Sequence, residues 1–226
     1  MKLEILFIDA CLLAVNKPPG LLALNDGYDP TLPHLRSLLE PDYGRLWIVH
    51  RLDRDTSGLM LLARSAAAHK KVNNQFASHQ VSKVYHALAS GVPVWDEQTL
   101  DVPLRTNVGR RRRTAVDLER GKAALTHLRV LERFSRETLL EACPVTGRTH
   151  QIRAHLFAAG YPLLGDRLYG PPNGGSRPQV IDRLGLHALS LDLRHPESGE
   201  QLTLVAPYAA DFAAALAQFR GRLTQR

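Results

Sequence analysis

"HRLDRDTSGLMLL", His50 to Leu62, changes character partway along: seven of its first eight residues are polar or charged, and after Gly58 it is purely apolar. A short apolar run bounded by turn-forming residues has the length and pattern of a buried strand. The reading therefore places a strand at 58–63 and the charged cluster in the connection that leads into it. Two aspartates, two arginines and a histidine hard against a core are costly unless they are paired. The cluster is either a surface turn or a site where that cost supports a function. An aspartate ahead of Thr-Ser-Gly is also an ordinary turn former, so this stretch alone does not separate the two.

Working outward, residues 46–49 form the strand before the cluster. Residues 3–8 and 11–15 form two more around Asp9-Ala10, and "NKPPG" (16–20) breaks the pattern. Leucines at 32, 35, 38 and 39 predict a short helix from Thr31, closed by Pro41. Ser65 is placed as the N-cap of a helix running to about Ser78, with Val72 and Phe76 on one face. Further strands are expected at 81–90, 100–105, 122–134, 138–143, 186–193 and 201–205. A helix begins near Thr149 with Ile152, Leu156 and Ala159 in one stripe and Gly160 as its stop. "AADFAAALAQFRGRL" closes the chain as an amphipathic helix. Strands outnumber helices and short turns join many of them. The expected class is α+β, a largely antiparallel mixed sheet with a few packed helices. The glycine- and proline-rich "GPPNGGSRP" (170–178) reads as a loop rather than a linker, so residues 1–226 are taken as one domain.

The totals fit an ordinary globular protein: 226 residues, 44% hydrophobic and 23% charged. A net charge of +7 and a pI near 9.7 favour an acidic partner, nucleic acid first and an anionic membrane surface second. Cys11 and Cys143 lie far apart in apolar contexts, without a C-x-x-C pair, and are read as buried reduced thiols. The apolar N-terminus is interrupted by Glu4 and Asp9, unlike a signal peptide, and no window reaches the roughly 18 apolar residues of a membrane span. A cytoplasmic protein with no membrane association is expected.

A second polar cluster lies in "PVTGRTHQIRAHL" (144–156). Arg148, His150, Gln151, Arg153 and His155 are too many costly groups for a plain helix cap. "TGRTH" lacks phosphate-loop spacing, and His150 and His155, five apart, do not share a helical face as zinc ligands would. What the two clusters offer together is an arginine able to hold a carboxylate ionised and fixed in direction. In "SKVYHALA" (82–89) the alternation puts Lys83, Tyr85, Ala87 and Ala89 on one face. Tyr85 there is either a half-buried strand residue or an aromatic plate for an unpaired base. Arg110, Arg111, Arg112 and Arg113, with Arg105 nearby, make either a solvated hairpin tip or a sequence-independent phosphate grip.

In this order the stretches resemble the RluA family of pseudouridine synthases, in the form without an N-terminal S4 domain. "DACLLAVNKPPGLL", "HRLDRDTSGLMLLA" and "KVYHALASG" match its first three motifs. "TGRTHQIRAHLFAAGYPLLGDRLYG" and "LHALSLDLRHPESGE" match its C-terminal signatures. The resemblance covers Leu6 to Pro207. It implies an enzyme that isomerises uridine to pseudouridine in a structured ribosomal or transfer RNA loop, as a monomer, without metal or other cofactor. Asp53 would be the essential carboxylate, acting at ribose C1′, at uracil C6 or through a glycal route. Arg153 would pair with it, Tyr85 would pack on the uracil, and Arg51 would fill the space left by the extruded nucleotide. Lys83, Arg148, His150 and Arg110–Arg113 would contact RNA, and Asp55 would only shape the turn.

The chemistry is consistent with that assignment. Breaking the glycosidic bond, rotating the base and forming a C–C bond requires a flipped nucleotide, at an unstacking cost of roughly a few kcal/mol. A guanidinium beside a buried carboxylate opposes its protonation by about 1–3 pKa units. Two other readings use the same residues. One is a metal-dependent ribonuclease built on Asp53, Asp55 and nearby histidines, and the other is a non-catalytic RNA-binding protein.

Overall fold

The computed structural model describes residues 3–25, 29, 31–170 and 180–223. Within these run β1 (Glu4–Ile8), β2 (Leu12–Lys17), α1 (Leu35–Tyr43), β3 (Trp47–Ile48), β4 (Ser57–Ala63), α2 (Ala66–Ala77), β5 (Ser82–Ser90) and β6 (Glu97–Asp101). They are followed by β7 (Leu104–Val108), β8 (Arg113–Val116), β9 (Leu125–Arg133), β10 (Glu137–Pro144), α3 (Gln151–Ala158), β11 (Leu186–Arg194), β12 (Gln201–Val205) and α4 (Ala210–Leu223). The α+β expectation holds. The loop proposed at 170–178 falls, from residue 171 on, outside the described residues. No helix among the described residues is long and apolar enough to cross a membrane.

The chain forms two compact units, the first comprising Met1–Lys83 and His187–Ala209. Its strand order is β1-β2-β4-β11-β12. Each pairing is antiparallel except β4 with β11, where His187 lies beside Ser57 and Ala188 beside Gly58. β3 pairs with the far end of β4, at Leu62 and Ala63. Every residue of β4 is buried. This explains why "SGLMLLA" is a continuous apolar run rather than an alternating one, since both faces are covered. Leu59 and Leu61 pack with Leu12, Ala14, Val72, Leu191 and Leu193. Gly58 has φ +111°, and a Cβ there would sit 2.1 Å from the Ala188 carbonyl oxygen. The parallel pairing beside the charged turn therefore depends on glycine.

The predicted Ser65 cap is observed, its Oγ accepting from the Ala68 amide. α1 departs from expectation. It starts at Leu35, capped by His34, and Pro41 lies inside it. The chain leaves the helix at Gly44, whose φ of +73° suits glycine.

The second unit comprises Val84–Leu186 and Ala210–Arg226. β5, β10, β9 and β6 form an antiparallel sheet in that order, and β7 and β8 a separate hairpin. One face of the sheet, with Ala87, Ala89, Leu128, Leu140 and Ala142, packs against Ile152 and Leu156 of α3. α4 packs through Phe219 on Phe134, with ring centroids 5.2 Å apart. The single strand expected at 100–105 is instead two, interrupted at Val102-Pro103. Pro103 has no amide to donate, and its carbonyl accepts from the Asp117 amide. The strand expected from 122 starts at Leu125, because Lys122 exchanges both backbone bonds with Leu104 instead. α3 begins at Gln151, two residues after the expected start, because His150 sits in the left-handed region at φ 54°, ψ 26°.

Neither cysteine is fully buried, contrary to the sequence reading, and both are free. Cys11 Sγ donates to Glu197 Oε2 at 3.1 Å.

Candidate active site

The charged turn between β3 and β4 is held by a buried ammonium group. Lys17, at the end of β2, is fully buried, and its Nζ donates to the carbonyls of Pro18 (2.9 Å), Leu21 (2.9 Å) and Arg54 (3.0 Å). The Gly20 amide also donates to the Arg54 carbonyl, and Arg54 Nε donates back to the Gly20 carbonyl at 3.1 Å. Asp53 precedes Arg54 and is half-buried, and its own carbonyl accepts from the Thr56 amide. At the far side of the turn, Ser57 Oγ lies 2.9 Å from Nδ1 of the buried His187, whose Nε2 is 3.3 Å from the Ala206 carbonyl. Asp53 is thus fastened on both sides, by "NKPPG" and by "LHA". Arg51 and Asp55 in the same turn are exposed.

His50 leads into this turn as a neutral ring. Its Nε2 accepts from the Leu61 amide at 2.9 Å and its ring stacks on Phe76. Burial, helped by the Lys83 charge, lowers its pKa from 6.5 to about 4. Lys83 is half-buried at the start of β5, and desolvation brings it from 10.5 down to about 8.

In the second unit Tyr85 is half-buried against the cluster of Ala87, Leu140 and Ile152. Arg153 projects from α3, and its Nε and Nη2 fork onto Asp166 at 2.8 and 2.9 Å. The Asp166 side chain is fully buried, and its Oδ1 also accepts from the amides of Leu168 and Tyr169. The guanidinium lies 5.1 Å from the Tyr169 ring centroid. The Tyr169 hydroxyl accepts from the Thr114 amide and lies 3.3 Å from His150 Nδ1. Gln151 secures the helix start. Its Oε1 accepts from the Arg148 amide and Thr146 Oγ1, while its Nε2 donates to Leu125 O and Thr126 Oγ1. His155 is buried between Thr126 Oγ1 and the Val102 carbonyl, a packing role.

Arg153 Nε and Nη2 are held by Asp166, a residue of "GDRLYG" to which the sequence reading attached no role. A buried acid two residues before an apolar Leu-Tyr pair was the available signal. His150 and Arg153 do converge, around Tyr169. Arg148 is exposed and anchored by its Nε to the Ala123 carbonyl. Arg110, Arg111 and Arg112 are exposed in the β7–β8 turn, whereas Arg113 starts β8 and stacks over Phe157 of α3, 5.1 Å from its centroid. The run is therefore three solvent-facing charges and one packed one. Lys17, His187 and Asp166 were missed because each acts through a partner distant in sequence.

Among the described residues, the donor side chains that converge closely enough for a metal are Asp9, Cys11 and His195. Asp53 and Asp55 are not among them.

Residues 11–158 match the family model described as RNA pseudouridylate synthase. The chain is 38% identical to the dual-specificity RNA pseudouridine synthase RluA of Pasteurella multocida, over 92% of this chain and 94% of that one. It is also 38% identical to the ribosomal large subunit pseudouridine synthase D of Pseudomonas aeruginosa, over 94% of this chain and 70% of that protein. Among solved structures, human RNA pseudouridylate synthase domain containing 1 superposes with a TM-score of 0.79 at 28% identity, covering 100% of this chain and 96% of that one.

Proposed function

Because the chain belongs to the RNA pseudouridylate synthase family, we propose that Asp53 is the catalytic carboxylate of its uridine-to-pseudouridine isomerisation. The chain is an RNA pseudouridine synthase, an isomerase acting on RNA. The observation that carries the assignment of Asp53 is its position on a turn immobilised by Lys17 and flanked by the Ser57–His187 contact. A group held this firmly can meet the ribose C1′ or the uracil ring without reorganisation.

In this reading, residues 1–226 work as one catalytic domain, and Asp53, Tyr85 and Arg153 are its catalytic residues. Tyr85 packs on the uracil ring. Arg153, itself fixed by Asp166, supplies positive charge to the reaction. Arg51 occupies the gap left when the nucleotide flips out. Lys83, Arg148, His150 and Arg110–Arg113 contact RNA, chiefly through phosphates. The target is a uridine in a folded loop of ribosomal or transfer RNA, and the name of the Pseudomonas aeruginosa relative supports the ribosomal choice. The enzyme works as a cytoplasmic monomer without a cofactor.

The test is tritium release from RNA labelled at uracil C5. Asp53→Asn abolishes release while leaving RNA affinity nearly unchanged, and wild-type activity survives a chelator. Turnover retained in Asp53→Asn refutes the assignment, and RNA strand cleavage that stops on chelation replaces it with the ribonuclease.

A further inference from the structure

Outside the proposed active site, Asp9, Cys11 and His195 converge where the β1–β2 turn approaches the β11–β12 turn in the first unit, with Glu197 bonded to Cys11 beside them. The donor atoms of Asp9, Cys11 and His195 all lie within 4.8 Å of one another. His195 Nε2 is 2.8 Å from Asp9 Oδ2, and Cys11 Sγ is 3.1 Å from Oε2 of Glu197. Ligands around a tetrahedral zinc ion are separated by about 3.5 Å, given its bond lengths. The His195–Asp9 and Cys11–Glu197 pairs, at 2.8 and 3.1 Å, therefore open by about 0.7 and about 0.4 Å to admit one, and no pair among Asp9, Cys11 and His195 is more than 4.8 Å apart. We propose that this cluster is a binding site for a single divalent transition-metal ion of the zinc class, ligated by Cys11 Sγ, His195 Nε2, Asp9 Oδ2 and Glu197.

The donor set suits such an ion, since thiolate and imidazole favour it over magnesium or calcium. The supporting contacts present the ligands. Asp9 Oδ1 is held by the Cys11 and Leu12 amides at 2.7 Å each, which leaves Oδ2 directed at His195. Outer contacts of this kind fix the direction of a ligating carboxylate. Glu197 is exposed and can swing onto the ion. Three anionic ligands exceed the charge of a divalent ion. Lys71, whose Nζ is bonded to the Pro196 carbonyl, and Arg64, whose Nη1 is bonded to the Asp9 carbonyl, supply compensating charge.

Binding moves two protons. The Cys11 thiol releases its proton to solvent as the S–metal bond forms. His195 ligates through Nε2, so the ring proton that faces Asp9 passes to Nδ1, where Ser198 Oγ, 3.3 Å away, accepts it. The Glu197 and Ser198 amides now face Nδ1 at 3.3 and 3.2 Å and must give way. This lowers affinity below that of an all-cysteine structural site. Without metal the same residues form a hydrogen-bonded clamp, so the protein folds either way.

Cobalt titration of the untagged, metal-stripped full chain under reducing conditions is the test. One equivalent of Co²⁺ is expected to raise a sulfur-to-cobalt charge-transfer band that Zn²⁺ removes. The band disappears in Cys11→Ser and persists in Cys143→Ser, and His195→Asn weakens binding by about tenfold or more. Absence of the band, or its survival in Cys11→Ser, overturns the site. Should Cys11→Ser fail to fold, iodoacetamide labelling of Cys11 in the native chain decides: one equivalent of Zn²⁺ protects it if the site exists, and unchanged labelling refutes it.

Discussion

Replacing Lys17 with methionine tests the idea that a buried charge positions the catalytic turn. The substitution keeps the volume and removes a donor that serves three carbonyls, those of Pro18, Leu21 and Arg54, from a fully buried position. A buried acceptor robbed of its donor costs about 1–3 kcal/mol. Arg54 keeps the Gly20 amide as a donor, so the larger losses fall at Pro18 and Leu21. Methionine also relieves the desolvation of an ammonium group, which offsets part of the loss. The net expectation is about 3 kcal/mol, a large share of the roughly 5–15 kcal/mol that holds a typical protein folded. For a chain of this size that lowers Tm by about 6–12 °C. The Arg54 carbonyl directly follows Asp53, so slack there displaces the carboxylate, and a shift near 1 Å can lower turnover by about a hundredfold. Urea denaturation and tritium release measured on the same preparation check both numbers. Wild-type stability, or full loss of stability with unchanged turnover, refutes the claim that this lysine couples "NKPPG" to the catalytic turn.

Arg153→Met strands the buried Asp166 carboxylate and is expected to cost about 3–5 kcal/mol of stability. Adding Asp166→Asn restores much of that, and turnover stays low only if Arg153 has a catalytic role. His50 has a folded pKa of about 4 against 6.5 for the free ring, so its stabilisation is complete above about pH 6.5 and declines as pH falls toward 4. Urea midpoints from pH 7.5 to 4.5 should show wild type losing up to about 3 kcal/mol more than His50→Gln, and parallel curves refute it. Changing Arg110, Arg111 and Arg112 to glutamine should flatten the salt dependence of RNA binding by about 0.7–0.9 in log–log slope for each phosphate no longer neutralised. Arg113→Gln should instead also lower stability, by about 0.5–1 kcal/mol, because its guanidinium packs on Phe157.

Much of this protein is local and therefore legible in its sequence. The apolar run after Gly58, the alternation through Tyr85, the Ser65 cap and the crowding of charge at 50–55 and 148–155 follow from periods of 2 and 3.6 and from the cost of polar groups near a core. The strands expected at 100–105 and from 122 differ from expectation because Pro103 and a single competing backbone pair, Lys122 with Leu104, shift boundaries that propensity alone cannot resolve, and α1 runs two residues past Pro41. The tertiary structure decided the partnerships: Lys17 with Arg54, Ser57 with His187, Arg153 with Asp166, and Asp9 and Cys11 with His195 and Glu197. Each joins residues from separate elements. A sequence shows that a charge must find a counterpart, but the direction in which the backbone carries it selects which one.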